Sequence, residues 1–216
     1  MTTPTRVTAA ALAALVLAAP LAQAAEITLL REIDANNYDP HKTTALAAAE
    51  ILFMLGDTLV SIEPDMKTLT PGLAKSWEVS PDGLTYTFHL RSGVKFHNGR
   101  EMTADDVKYS LDRVTDPATQ SPGAGFFASI KGYDETTSGA AKGLAGVTVV
   151  DPKTVKIELS RPDATFLHVM ALNFSSVVPK EAVEEHGADF GKHPVGTGAF
   201  RMAEWTIGQR PVLEKN

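Results

Sequence analysis

Apolar and polar residues alternate from residue 85 to 91. Tyr86, Phe88 and Leu90 fall on one side, and Thr85, Thr87, His89 and Arg91 on the other. This is the period of a half-buried strand. Turn residues bracket it: Pro81-Asp82-Gly83 before, Ser92-Gly93 and Asn98-Gly99 after. Beyond them the period lengthens. Thr103 opens a helix, Asp105 and Asp106 occupy its first turn, where negative charge is favoured, and Val107, Leu111 and Val114 share one face. The same reading along the chain predicts a strand over 26–33, a turn at 36–40 and an Ala/Leu/Ile-rich helix over 44–55 that Gly56 ends. A short strand follows over 58–62. Residues 147–150 and 154–159 form a hairpin around Asp151-Pro152-Lys153, with Val155, Ile157 and Leu159 on one face. Asp163 caps a helix running to about residue 172, Pro179 starts another at its first position, and Gly187 closes it. Residues 194–200 make a glycine-rich turn into a strand, while 116–125 and 132–146 read as loops. Strands and helices mix without strict alternation, which predicts an irregular α/β architecture rather than a TIM barrel or a plain doubly wound sheet. Trp77, Phe88 and Phe96 suit the core of such a fold.

The first 24 residues have the form of a secretory signal. Arg6 and the amino terminus supply positive charge, residues 9–19 are almost wholly aliphatic, and Ala22-Gln23-Ala24 is a small-x-small cleavage site. The aliphatic stretch is too short to span a bilayer core of about 30 Å. The expectation is an exported, periplasmic chain whose fold begins near Ala25. There is no cysteine. Disulfides, thiolate chemistry and a lipid-anchor cysteine are therefore excluded, and stability has to come from a hydrophobic core. The net charge is −6, and losing Arg6 with the leader makes the remainder more acidic. That balance argues against nucleic acid or an anionic membrane as partner.

One stretch carries a more specific signal. Leu73-Ala74-Lys75-Ser76-Trp77, Asp82-Gly83, the run from Tyr86 to Arg91, Val94-Lys95-Phe96, Asn98-Gly99 and Thr103-Ala104-Asp105-Asp106-Val107 follow in fixed order. Together they closely resemble the signature of the family 5 extracytoplasmic solute-binding proteins, the binding components of peptide and nickel ABC importers. Asp39-Pro40-His41-Lys42, Val178-Pro179-Lys180, Pro194-Val195-Gly196-Thr197-Gly198, Trp205 and Leu213-Glu214 extend the resemblance over about 26–216. It implies a periplasmic binding protein-like type II fold: an irregular mixed sheet with flanking helices, in two lobes around a cleft. Only part of that fold is expected here. Residues 25–56 and 176–216 would belong to the ligand-facing part of lobe one, and 57–175 to a smaller subdomain beside it. The chain would stop at Asn216 within lobe one, with the second lobe absent. The implied function is the substrate-binding component of an ABC importer, a monomer without cofactor. It would capture peptides in the periplasm and deliver them to permease subunits in the inner membrane. Nickel complexes, opines and some sugars are the other cargoes the family implies. A piece with one wall of the cleft is not expected to bind by itself.

The resemblance places ligand-lining positions at Thr44, Ala45 and Leu46, in the loop 123–127, and at Asn173 and Phe174. Gly123 stands where some relatives carry Tyr, and Phe126 or Phe127 is expected to substitute by packing against an apolar ligand group. No catalytic or metal residues are expected. Gly196-Thr197-Gly198 lacks the Lys-Ser/Thr that completes a phosphate-binding loop and reads as a tight turn. Asp105 and Asp106 are explained by the helix start. Ser176 has no visible base partner and no Gly-x-Ser-x-Gly elbow. The six histidines form no HExxH pair, and His186 and His193, with Glu184 and Glu185 nearby, read as a solvated helix end. Two rival readings remain. A secreted hydrolase would need a nucleophile, base and orienter that converge. A periplasmic chaperone-like interaction module would bind unfolded proteins without a permease.

Overall fold

The computed structural model describes residues 35–216; the expected signal at 1–24 and the strand at 26–33 lie outside them. The elements run α1 (Leu46–Leu55), β1 (Val60–Ile62), β2 (Leu69–Pro71), β3 (Ala74–Val79), β4 (Thr85–Leu90), α2 (Ala104–Thr115), α3 (Tyr133–Thr137), β5 (Val147–Asp151), β6 (Thr154–Glu158), α4 (Phe166–Val169), α5 (Lys180–His186), β7 (Phe200–Glu204) and β8 (Val212–Lys215). Short 3-10 turns occupy Ala124–Phe127, Asn173–Ser175 and Gly187–Lys192. The pairs β1–β2 and β7–β8 are hairpins, and a four-stranded sheet has the order β3-β4-β6-β5. All of these strand pairs are antiparallel. The irregular α/β architecture is thus present.

The sheet is built on the alternation in β4. Tyr86, Phe88 and Leu90 are buried and the residues between them half-exposed. Phe88 sits opposite Trp77 in β3 and Val155 in β6, and Tyr86 opposite Ile157, so apolar side chains meet across three strands on one face. Helix α2 covers that core with Val107, Leu111 and Val114, all buried. Its start follows from the sequence: the Asp106 carboxylate accepts the Thr103 backbone N–H at 2.9 Å. The same carboxylate takes two bonds from the Arg100 guanidinium, at 2.6 and 3.0 Å. Arg100 reaches on to Glu181 of α5 at 2.6 Å.

The segments on either side pack as two smaller clusters. One gathers Tyr38, Ala48, Ile51, Leu52 and Leu55 against Met202, Trp205 and Leu213 of the β7–β8 hairpin region. Tyr38 and Trp205 meet edge to face with centroids 4.6 Å apart. The other holds Val178, Ala182 and Phe190. The glycine-rich turn before β7 works by close approach. A Cβ on Gly196 or Gly198 would lie 2.2 or 2.3 Å from the carbonyl oxygens of Leu55 and Met54. Only bare backbone comes that near to the end of α1, and the Gly198 N–H caps the Leu55 carbonyl at 3.0 Å.

Three local expectations change. The helix after Asp163 is only Phe166–Val169; Asp163 does receive the Thr165 N–H, but Leu172 is extended and the chain re-coils as a separate 3-10 turn. Pro179 is the residue before α5, not its first helical one, with ψ of 129°. The predicted loop 116–125 runs into a helical turn at Ala124–Phe127, and the loop 132–146 contains one at Tyr133–Thr137, both too short to announce themselves by periodicity.

Candidate functional site

Four of the eight candidate positions come together as one surface feature. The Ser121 hydroxyl accepts the Gly123 N–H at 3.2 Å and starts the 3-10 turn Ala124–Phe127. With three residues per turn, neighbouring side chains point far apart. Phe127 goes into the main core, fully buried, and Phe126 goes outward, 50% exposed. Phe127 therefore drops out as a ligand contact, because it has no surface to offer. Phe126 stacks on Phe174 with centroids 5.8 Å apart and planes 28° from parallel. Phe174 rides on the Asn173–Ser175 turn, which the Ser175 hydroxyl anchors by donating to the Val169 carbonyl at 2.6 Å. The Phe174 ring also lies flat on Gly123, so a Cβ there would stand 2.3 Å from it. Where a larger side chain would rise from position 123, this chain has the Phe174 ring instead. Gly123, Phe126, Asn173 and Phe174 thus build an aromatic shelf.

Thr44, Ala45 and Leu46 sit at the start of α1. Thr44 is exposed, Ala45 half-buried, and Leu46 76% exposed. Ala45 is the cap residue of the helix, and its N–H is taken by the Thr43 hydroxyl at 3.2 Å. The link from this set to the shelf runs through α1, which packs against the Asn173–Ser175 turn.

A second link was not read from the sequence. Asp39, His41 and Arg113 are all buried and share one network. Arg113 of α2 grips both Asp39 carboxylate oxygens, at 2.9 and 2.5 Å, and sends a third bond to His41 Nδ1 at 2.8 Å. A guanidinium has only hydrogens to offer, so Nδ1 accepts and Nε2 carries the proton. Nε2 donates to the Ser176 carbonyl at 3.0 Å. Burial first, then the neighbouring Arg113 cation, holds the His41 pKa down at about 4. Burial pushes the Asp39 carboxyl up, but its bonds and charge contacts with Arg113 prevail and leave it below its usual value. The Asp-Pro-His-Lys motif was the available signal, but Arg113 lies far along the chain and nothing local pairs them.

The residue types Ser, His and Asp recur here, yet the arrangement is not a nucleophile with its base. His41 binds the carbonyl of Ser176 rather than its hydroxyl, and its other nitrogen faces Arg113 rather than a carboxylate. Ser176 itself is buried. The Gly196-Thr197-Gly198 turn is also spoken for. Gly196 N–H donates to His97 Nδ1 at 3.2 Å, His97 Nε2 to the Gly198 carbonyl at 3.2 Å, and Thr197 Oγ1 to Asp57 at 2.8 Å. Its amides do not converge on a free anion position. His186 and His193 stack on each other at 4.6 Å. Among the described residues no three His, Asp or Glu side chains are grouped to hold a metal. An open groove of about 630 Å³ lies elsewhere, lined by His97, His193, Arg201, Glu204 and Trp205 among others, and it includes none of the eight candidate residues.

Comparison with known proteins identifies the family of this fold. Residues 68–216 match the profile of the bacterial extracellular solute-binding proteins, family 5 Middle. Over 168 residues the chain is 36% identical to the glutathione-binding protein GsiB of Salmonella typhi, a match that covers 78% of this chain and 29% of that one. The Escherichia coli murein tripeptide binding protein MppA superposes with a TM-score of 0.76 at 33% identity, covering 82% of this chain and 35% of MppA. Haemophilus influenzae OppA, solved in complex with RPPGFSPFR, gives 0.76 at 29% identity, covering 83% and 36%. The chain spans about a third or less of the length of these relatives.

Proposed function

Given that this chain belongs to the family 5 bacterial extracellular solute-binding proteins, we propose that it supplies one wall of the ligand cleft in the capture component of an ABC importer, with peptides as cargo. The observation that carries this reading is the aromatic shelf of exposed Phe126 stacked on half-buried Phe174, set on Gly123 and linked through α1 to residues 44–46. An apolar aromatic ledge at the surface suits a peptide, whose side chains can pack on it. The relatives' names point the same way: glutathione, murein tripeptide and a nonapeptide are all short peptides. In this reading residues 35–56 and 176–216 belong to the ligand-facing part of lobe one, and 57–175 to the subdomain beside it. Cargo bridging two lobes favours the closed form by its differential affinity, and the closed form delivers it to the permease in the inner membrane. The work is done in the periplasm, where MppA is placed by its own name.

The test is NMR titration of the 216-residue chain with short peptides. A single wall encloses little of a ligand, so binding is expected to be weaker than about 1 mM, near −4 kcal/mol. The shifts should centre on Thr44, Ala45, Leu46, Phe126, Asn173 and Phe174. Sub-micromolar binding by this chain alone, or shifts centred elsewhere, would overturn the reading.

A further inference from the structure

We propose that His41 is a positioning residue whose neutral ring ties the segment leading into Thr44, Ala45 and Leu46 to the segment that follows Asn173 and Phe174, and that protonating it undoes the tie. That these segments line a cleft rests on the proposed function; the tie itself does not. His41 is fully buried, and both ring nitrogens are used, one toward Arg113 and one toward the Ser176 carbonyl. Arg113 is held on the far side by both oxygens of Asp39 and lies over the Phe190 ring at 5.4 Å. Three of the roughly four acceptor positions of Asp39 are already taken, two by Arg113 and one, on Oδ1, by the His41 backbone N–H at 3.0 Å. A second proton at Nδ1 would therefore point an N–H at a guanidinium N–H in a dry site. The side chain's remaining course is to leave, and with it goes the bond to Ser176.

The charges acting on the His41 ring are Asp39 from its own segment and Arg113 from α2; Tyr109 of α2, which feels the same two groups, also feels Glu184 of α5 and Asp116. Asp39 alone opposes the Arg113 cation at the ring, and it is bonded to that cation. The sign follows. A histidine whose folded pKa lies below its free value contributes stability that is complete above the free value and is lost as pH falls toward the folded one. The window here is from about 6.5 down to about 4.

Two measurements on the 216-residue chain test this. Long-range nitrogen–proton NMR should show the His41 ring neutral with the proton on Nε2 at pH 7, and titrating well below an ordinary histidine. Hydrogen exchange at 41–46 and 173–178, corrected for intrinsic rate, should report about 30-fold more opening at pH 5 than at pH 8, from the two pKa values. Strands β4 and β6 should not follow. His41→Gln keeps a donor toward Ser176 without titrating, so its exchange should be flat with pH. An Nδ1-protonated ring, an ordinary titration midpoint, or the same pH response in His41→Gln overturns the proposal. If that variant does not fold, the wild-type ring titration decides alone. Sub-micromolar peptide binding by this chain, or peptide-induced shifts centred elsewhere, would remove the proposed function and leave this result untouched.

Discussion

The sheet-bearing middle of the chain and the segments on either side of it are held by different physics. The middle closes around one core, with Phe88, Leu90, Phe96, Val114, Phe127 and Phe166 fully buried between the β3–β6 sheet and its helices. The flanking segments form two small clusters and leave Leu46, Phe53, Phe200 and Ile207 largely exposed. They are fastened to the middle by polar joints: Asp39 and His41 to Arg113, Glu181 to Arg100, and the 196–198 turn to His97. Burial of apolar surface is non-directional and supplies stability. A buried ion pair contributes little net stability but is costly to break on one side, so it defines where a segment sits. The aromatic shelf lies near where the two regimes meet, with Phe126 stacked on Phe174 shortly before the segment that starts at residue 176.

The comparison can be broken at the core, at a buried joint or at a surface joint. Phe88→Ala removes a fully buried ring and should cost about 4 kcal/mol. Chemical denaturation should show this loss as a lowered midpoint for the whole chain, flanking segments included. Arg113→Met keeps the stem and removes the charge, stranding the Asp39 carboxylate in the interior. A loss of about 3 kcal/mol is expected, and hydrogen exchange should place it in 35–56 while β4 and β6 stay protected. Equal deprotection of the sheet would mean that the two regions are one cooperative unit. Glu181→Gln weakens a joint that is nearly half exposed. The Arg100 bonds pull the Glu181 carboxyl down to about 2, so it is ionised throughout the neutral range. Solvent screening still limits the change to under about 1 kcal/mol, read as a small shift in thermal midpoint that shrinks in high salt.

Much of the middle was legible because its instructions are local. The alternation around Phe88, the hairpin at Asp151-Pro152-Lys153 and the acidic first turn after Thr103 each lie within a few residues, and the structure keeps all three. Capping by Asp106 was readable, but its simultaneous grip on Arg100 was not. At the candidate site, the sequence offered Phe126 and Phe127 as equals. The turn separates them, because consecutive residues of a 3-10 helix face different ways and the core took Phe127. Gly123 read as a missing side chain; in three dimensions the ring of Phe174 occupies the place beside it.

The amino-acid sequence by itself determined the types of the longer periodic elements, the apolar faces that must be buried, and the family resemblance, all of which depend on short-range order and spacing. The tertiary structure alone decided which distant residues share a site. Arg113 meets Asp39 and His41, and Phe174 meets Gly123, only once loop closure has been offset by the burial of the core between them. Periodicity records which way a side chain faces, and it carries no information on what will be waiting there.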